Sequence, residues 1–353
     1  MLLSSPVRAA GTSARTRRGG RTRLAAVLAA CAASWLGTHG AAVRLGAQAA
    51  PAVAPGGLEV LEVRPNFFLL AGAGGSIGVQ VGEDGAVVVD AGSAASAAAV
   101  VDAIKRITPK PIRYVIDTGP DADHVGGNEV LAKAGEADIR SGRRNPMGAA
   151  ILAAEGVLRH MSSTSGSAPA YPAGAWPTET FHYARKYMYW NGEAIEVLHQ
   201  AAAHTDSDAF VFFRRSDVVV AGDVLDTRQF PVIDVDRGGS IQGEIASLER
   251  LSELAVPSVP IVSREAGTIV IPGHGRLYDQ YDVIEYRDMV TIIRDRVRDL
   301  ITAGRSLEQV KAAKPADGYA GRYGNGSGGW TTDRFVEAVY RSLAQDKQAG
   351  AKR

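Results

Sequence analysis

Cysteine is almost missing from this sequence of 353 residues. The only one, Cys31, lies in the N-terminal segment, and none follows it. The rest of the chain therefore cannot form disulfides, bind a metal through thiolates or use a cysteine nucleophile. Any metal ion held by that part must be bound by histidine and carboxylate side chains.

Neither sign of charge is in clear excess. Lysine and arginine total 39 against 38 aspartate and glutamate, which gives a net charge of +1. A balanced charge supplies no broad attraction to nucleic acid or to an anionic membrane. We therefore expect no nucleic-acid partner and a small-molecule substrate. With 46% hydrophobic and 22% charged residues, the composition is that of an ordinary folded protein.

The N-terminal apolar run is too short to span a membrane. Residues 24–37 follow a cluster of arginines and precede the small-residue triplet 47–49, which is the layout of a signal peptide. We expect an exported protein, periplasmic or secreted, whose mature chain begins near Ala50. Residues 28–31 resemble a bacterial lipobox, so a lipid anchor at Cys31 is the alternative.

Apolar patterning after residue 57 predicts an alternation of strands and helices. Strands are predicted at 58–63, 67–71, 76–81, 86–89, 112–116, 181–188, 194–198, 209–213, 218–221 and 268–271. Helices are predicted at 94–107, 146–159, 240–254, 283–303, 306–313 and 332–344. Residues 72–75 are predicted to form a hairpin turn, and residues 162–177 a surface loop.

One polar loop directly follows an apolar strand. It reads Asp117-Thr-Gly-Pro-Asp-Ala-Asp-His-Val-Gly-Gly-Asn128. An adjacent Asp123 and His124 on a tight, glycine-containing loop can direct two side chains at one cation. The pair alone is weak evidence, since most such pairs on surface loops are simply solvated.

Three later segments also place polar residues beside apolar strands. They contain His204-Thr205, Gly222-Asp223 and Gly273-His274. In order and rough spacing, these motifs resemble those of the metallo-β-lactamase superfamily, and the resemblance extends over about residues 58–346. It implies a four-layered αβ/βα sandwich, an α/β fold of two mixed β-sheets flanked by helices.

The N-terminal pattern and the resemblance together predict a division of the chain, and the resemblance implies a set of site residues. The segments would be an export segment (1–49), a linker (50–57), a metallo-β-lactamase-like domain (58–303), a C-terminal helical extension packed on it (304–346) and a tail (347–353). The implied metal ligands are Asp121, Asp123, His124, His204, Asp223 and His274. Asp123 and Asp121 would be the catalytic residues.

The sequence departs from the family in its first loop. Gly119 stands where the family has its first histidine, and Asp121 stands where it has its second. One outcome is a single zinc ion at Asp123, His124, Asp223 and His274. The other adds a weaker site at Asp121, His204 and the shared Asp223. If that position holds no metal, Asp121 or Asp208 could act as a general base or orient His204.

The resemblance implies an exported metal-dependent hydrolase that activates water against an ester, thioester, lactone or β-lactam bond. The alternatives are a non-haem iron oxidoreductase of the same fold, similar to sulfur dioxygenases, and a metal-binding module with weakened catalysis. The sequence leaves open the substrate, the choice of one or two zinc ions or iron, and the oligomeric state.

Other polar and aromatic residues suit ordinary structural roles. His199 could support His204, although a structural histidine is the simpler interpretation. His160 and His182 are predicted at the surface. The aromatic residues could line a substrate pocket or belong to the packed interior; they are Tyr171, Trp176, Tyr187, Tyr189 and Trp190.

Overall fold

Alternating apolar residues from residue 58 onward form the strands of two β-sheets. The computed structural model describes residues 52–54, 57–137, 148–165, 168–259, 267–324, 326 and 329–351. The predicted signal peptide, its cleavage site and Cys31 lie outside these described residues. Ala50–Arg353 forms one compact unit.

The strands, numbered in chain order, follow most of the predicted boundaries. They are β1 Ala52–Ala54, β2 Leu58–Arg64, β3 Phe67–Ala73, β4 Gly75–Gly82, β5 Gly85–Val89, β6 Ile112–Ile116, β7 Ala150–Ala154, β8 Thr164–Ser165, β9 Ala168–Pro169, β10 Glu179–Phe181, β11 Arg185–Trp190, β12 Glu193–Gln200, β13 Asp208–Phe213, β14 Val218–Asp226 and β15 Ile269–His274.

The helices begin and end at capping residues in several places. They are α1 Ala97–Ile107, α2 Ala122–Val125, α3 Asn128–Ala134, α4 Glu155–Ser162, α5 Ile241–Leu254, α6 Gln280–Thr302, α7 Leu307–Ala312, α8 Asp317–Tyr323 and α9 Thr332–Ala351. Asp279 and Ser306 form capping boxes at α6 and α7, and Ser240 caps α5. Among the described residues, no helix is both long and apolar enough to cross a membrane.

Both sheets are mixed, as expected. The first contains eight strands in the order β1-β2-β3-β4-β5-β6-β7-β10, antiparallel up to β5 and parallel beyond it. The second contains β11 to β15 in sequence order, and only the β14–β15 pair is parallel. A separate two-stranded ribbon joins β8 to β9.

Three apolar clusters hold four layers together: helices, the first sheet, the second sheet and further helices. The cluster between the sheets joins Phe67 of the first sheet to Phe213 of the second, with ring centroids 4.7 Å apart. A second cluster joins α1 and α3 to the outer face of the first sheet, and a third joins α5, α6 and α9 to the outer face of the second. The predicted four-layered αβ/βα sandwich is therefore confirmed.

Helix α9 packs against the chain segment that leads from β14 to α5. The Phe335 ring stacks on Phe230, with centroids 4.8 Å apart and planes 5° from parallel. The Ser342 hydroxyl accepts a hydrogen bond from the Ile241 backbone N–H at 3.0 Å. The C-terminal helix therefore supports this segment directly.

Two predicted elements were wrong, and some elements, helix α8 among them, were missed. Instead of one helix at 146–159, residues 150–154 form strand β7 and α4 follows it, because the buried Ile151-Leu152-Ala153 run pairs with β6 and β10. The predicted strand 181–188 is two strands, β10 and β11, which belong to different sheets. Helix α8 was missed, since its glycine-containing sequence has low helix propensity. The hairpin turn at 72–75 and most other strands are confirmed.

Glu244 on α5 is fully buried without a compensating partner. Its side chain is 0% exposed, and neither carboxylate oxygen has a hydrogen bond within the described residues. Burial raises the pKa of this carboxyl well above its ordinary value, and the charge of Asp208 raises it further. When the pKa of a carboxyl is higher in the folded protein than in the unfolded chain, the folded protein loses stability as pH rises above the unfolded pKa of about 4.3.

We expect Glu244→Gln to stabilise the protein increasingly as pH rises from 5 to 8. The neutral amide removes the cost of ionising a buried carboxyl, which is about 1.4 kcal/mol per unit of pKa shift. Denaturant unfolding of both proteins across this range would measure the difference in the free energy of unfolding. Glu253→Gln, at an exposed position of the same helix, should show no such trend. An equal response of both variants would contradict this interpretation.

Candidate metal centre

The six predicted ligand residues meet at one edge of the sandwich. After β6, Asp121 is the N-cap of α2, and that helix contains Asp123 and His124. His204 lies between β12 and β13. Asp223 lies in β14, and His274 ends the neighbouring parallel strand β15. Parallel pairing of β14 and β15 brings these last two residues to the same edge.

Four residues form the first cluster. Asp123, His124, Asp223 and His274 each offer one ligand atom, and these atoms lie within 4.8 Å of one another. His124 Nε2 is 3.1 Å from Asp223 Oδ1, and His274 Nε2 is 3.1 Å from Asp123 Oδ2. Two imidazoles and two carboxylates are a donor set that suits a divalent transition metal.

The orientation of His124 supports this interpretation. Its Nδ1 lies 2.7 Å from Asp90 Oδ2, and both side chains are 1% exposed. Since the carboxylate accepts a hydrogen bond from Nδ1, Nε2 is the ring nitrogen that faces the cluster, and it would offer its lone pair to a metal ion in the neutral form of the ring. Nε2 is buried without a hydrogen-bond partner. An unpartnered buried nitrogen beside three other donors fits a metal ion.

Asp90 is itself held rigidly. Its two carboxylate oxygens accept hydrogen bonds from Thr118, Oδ1 from the backbone N–H at 2.8 Å and Oδ2 from the hydroxyl at 2.7 Å. Its backbone has a positive φ of 66°, which aspartate tolerates better than bulky residues do. Asp90 directly follows the buried strand β5, so that strand fixes the position of the carboxylate that contacts His124.

Asp223 stands between both clusters and is closely surrounded. A Cβ at Gly273 would lie 2.6 Å from Asp223 Oδ1, so only glycine leaves the carboxylate in this position. Burial acts to raise the pKa of Asp223, but the neighbouring histidines, His124 first, hold it far below its ordinary value. The shared carboxylate is therefore ionised.

Asp121, His204 and Asp223 form the second cluster. His204 Nε2 lies 2.7 Å from Asp121 Oδ2, and Nδ1 lies 2.7 Å from the Val232 carbonyl oxygen. Burial opposes both charges, yet the contact between the two residues lowers the pKa of Asp121 to about 2 and raises that of His204 to about 10. Arg237 also contacts Asp121, with Nη1 at 2.7 Å from Oδ1.

Asp208 and His199 do not support His204 through direct hydrogen bonds. Asp208 accepts hydrogen bonds from the Thr205 backbone N–H and hydroxyl at 2.7 and 2.8 Å. Burial raises its pKa to about 7. His199 Nε2 instead contacts the Asp206 carbonyl oxygen at 3.0 Å. Of the residues considered from sequence, Asp121 is the one that contacts His204.

A cavity of about 370 Å³ opens onto both clusters. Its lining includes Arg228, Gln229 and Arg237 beside the predicted ligands. The five aromatic residues considered from sequence are not among its lining residues. Trp190 is in the core, Tyr187 and Tyr189 are exposed, and Tyr171 donates a hydrogen bond to the Pro120 carbonyl oxygen. His182 is exposed as predicted, whereas His160 is half-buried against Asp206.

Comparison with known proteins decides the family. A sequence model of the metallo-beta-lactamase superfamily matches residues 71–264, which is more than half of the chain. The chain belongs to the metallo-beta-lactamase superfamily. A search of curated protein sequences finds no significant match.

Solved structures share the metallo-beta-lactamase fold of this chain at low identity. A double mutant of the sec-alkyl sulfatase PisA1 is 17% identical with a TM-score of 0.58, over 80% of this chain and 50% of that one. The stereoselective inverting sec-alkylsulfatase Pisa1 from Pseudomonas sp. is 16% identical with a TM-score of 0.53, over 80% and 49%. The chain thus spans about half the length of these sulfatases, and the likeness concerns the fold.

Two residues beside the candidate metal centre were missed from sequence. Asp90 was assigned no role from the sequence, although an aspartate directly after an apolar strand and before Ala-Gly could have indicated a site residue. Arg237 ends a short 3-10 helix, Val235–Arg237, whose sequence carries no motif, so nothing in the sequence pointed to it. The ligand roles of the six predicted residues stay predictions.

We expect Asp90→Asn to weaken metal binding by about 10- to 100-fold, because the amide no longer fixes the ring and tautomer of His124. Competition with a chromophoric chelator would measure the dissociation constant. Asp102→Asn, at an exposed position of α1, is the control and should bind as the wild type does. Unchanged affinity in Asp90→Asn would show that His124 does not depend on this carboxylate.

Proposed function

We propose that this chain is a metal-dependent hydrolase whose metal ligands are Asp123, His124, Asp223 and His274. Family membership supports the class of activity. The observation that carries the proposal is the buried, unpartnered Nε2 of His124, which Asp90 orients toward the three other donors. When bound, a divalent ion supplies Lewis acidity and lowers the pKa of a water molecule toward neutrality.

The residues around this site suit water activation in a small cavity. Asp123 is 40% exposed, the most accessible of the four side chains, so it can accept a proton from a water molecule in the cavity. His274 contacts both Asp123 and Asp223, at 3.1 and 3.4 Å, and therefore holds the two carboxylates together. Asp123 is accordingly proposed as the general base, and the cavity volume suits a small molecule.

The proposal includes the classes of bond that the protein would cleave. Esters, thioesters, lactones and β-lactams are the substrate classes that the family resemblance favours, and the two sulfatase structures add sulfate esters to the panel. We further propose that the chain is exported, as the arginine-rich N-terminus and the following apolar run favour.

The first experiment is elemental analysis of the full chain purified without chelator, combined with turnover of this substrate panel. We expect zinc in the wild type, near-complete loss of metal and turnover in His274→Ala, and loss of turnover in Asp123→Ala. His182→Ala, which removes an exposed histidine, should match the wild type.

Each contrary result points to a different function. A wild type without metal would contradict the hydrolase. A metal-loaded wild type that is as inactive as Asp123→Ala on every substrate would indicate a binding module. Iron in place of zinc would direct the assays to sulfur-oxidising chemistry, since this ligand set also suits iron.

A further inference from the structure

Arg237 is fixed beside the second cluster by two carboxylates. Its Nη1 contacts Asp121 Oδ1 at 2.7 Å, and its Nε contacts Asp234 Oδ2 at 2.6 Å. Asp234 Oδ1 accepts backbone hydrogen bonds from Asp236 and Arg237 at 3.1 and 3.0 Å, which secures the turn that carries the arginine. The guanidinium is thus held at the cavity by the local backbone and by two charged contacts.

The donors of the second cluster are already engaged. Asp121 Oδ1 accepts from Arg237, and Asp121 Oδ2 is 2.7 Å from His204 Nε2. The other ring nitrogen of His204 faces the Val232 carbonyl oxygen at 2.7 Å. A metal ion that used either oxygen of Asp121 would therefore have to compete with the cationic or histidine partner that already contacts that oxygen.

The second cluster also lacks a donor. A Cβ at Gly119 would meet only Asp208 Oδ1, at 3.6 Å, so this position leaves space but provides no ligand atom. Three donors remain, and Asp223 among them is shared with the first cluster. Among the described residues, the first cluster has four donors and no lysine or arginine in an ion pair with them, whereas the second has three donors and the Arg237 guanidinium.

We infer that the Arg237 guanidinium takes the place of a second metal ion, so that the chain binds a single divalent cation, at Asp123, His124, Asp223 and His274. This inference rests on the proposed function and specifies its metal centre. Two carboxylates near Arg237 need positive charge, and a fixed guanidinium supplies it with directional hydrogen bonds. Its charge also opposes the entry of a further cation.

Zinc titration of the full chain tests this inference without an activity assay. Wild type, Arg237→Gln and Arg228→Gln would be stripped with chelator and titrated with Zn²⁺ by calorimetry, with bound zinc counted after dialysis. Arg228 lines the same cavity but pairs with Asp226 at 3.0 Å, which makes it the matched control. We expect one ion in the wild type and in Arg228→Gln, and two in Arg237→Gln.

The second zinc ion expected in Arg237→Gln should depend on the second cluster. Adding Asp121→Ala to Arg237→Gln should therefore remove that ion and leave one. Adding His274→Ala instead should remove the ion of the first cluster. Arg237→Ala serves as a second variant if Arg237→Gln fails to fold by circular dichroism.

Two results would overturn the inference while leaving the proposed function intact. They are two ions in the wild type, one of them lost in Asp121→Ala, or a single ion in both Arg237 variants. In either case the His274-dependent ion would remain. Absence of zinc from every protein would contradict the proposed function, and this inference with it.

Discussion

The buried line of Asp90, His124 and Asp223 is the interaction on which the centre depends. His124 is 1% exposed and lies between two carboxylates, at 2.7 Å from Asp90 and 3.1 Å from Asp223. Burial opposes a charged imidazole, yet these carboxylates raise the pKa of His124 well above its ordinary value. Electrostatic contacts are strong where water is excluded. The ring is therefore fixed before any ligand binds.

Both sheets contribute to this line, and that explains the position of the centre. Asp90 follows β5 and the His124 loop follows β6 in the first sheet, while Asp223 and His274 lie in β14 and β15 of the second. The apolar cluster between the sheets, with Phe67 against Phe213, sets their separation. The relative position of the ligand residues at the edge of the sandwich thus depends on the apolar packing between the two sheets.

Sequence reasoning succeeded where a local pattern decides the structure. Short strands bounded by glycine, the capped helices and the motifs around His124, Asp223 and His274 were all recognised because they are local. It failed at residues 150–154, where the Ile151-Leu152 run suits helix or strand and pairing with β6 and β10 selects the strand. Asp90 and Arg237 escaped notice because their partners lie 34 and 116 positions away along the chain, at His124 and Asp121.

The stacking of Phe335 on Phe230 connects the C-terminal helix with the segment that contributes Val232 and Arg237 to the cavity. Arg341 of the same helix also pairs with Asp236, the neighbour of Arg237. A tag, a truncation or a binding partner at the C-terminus would therefore act on the cavity wall through this stack. Protein engineers who need an unperturbed centre should leave this helix intact and place fusions elsewhere.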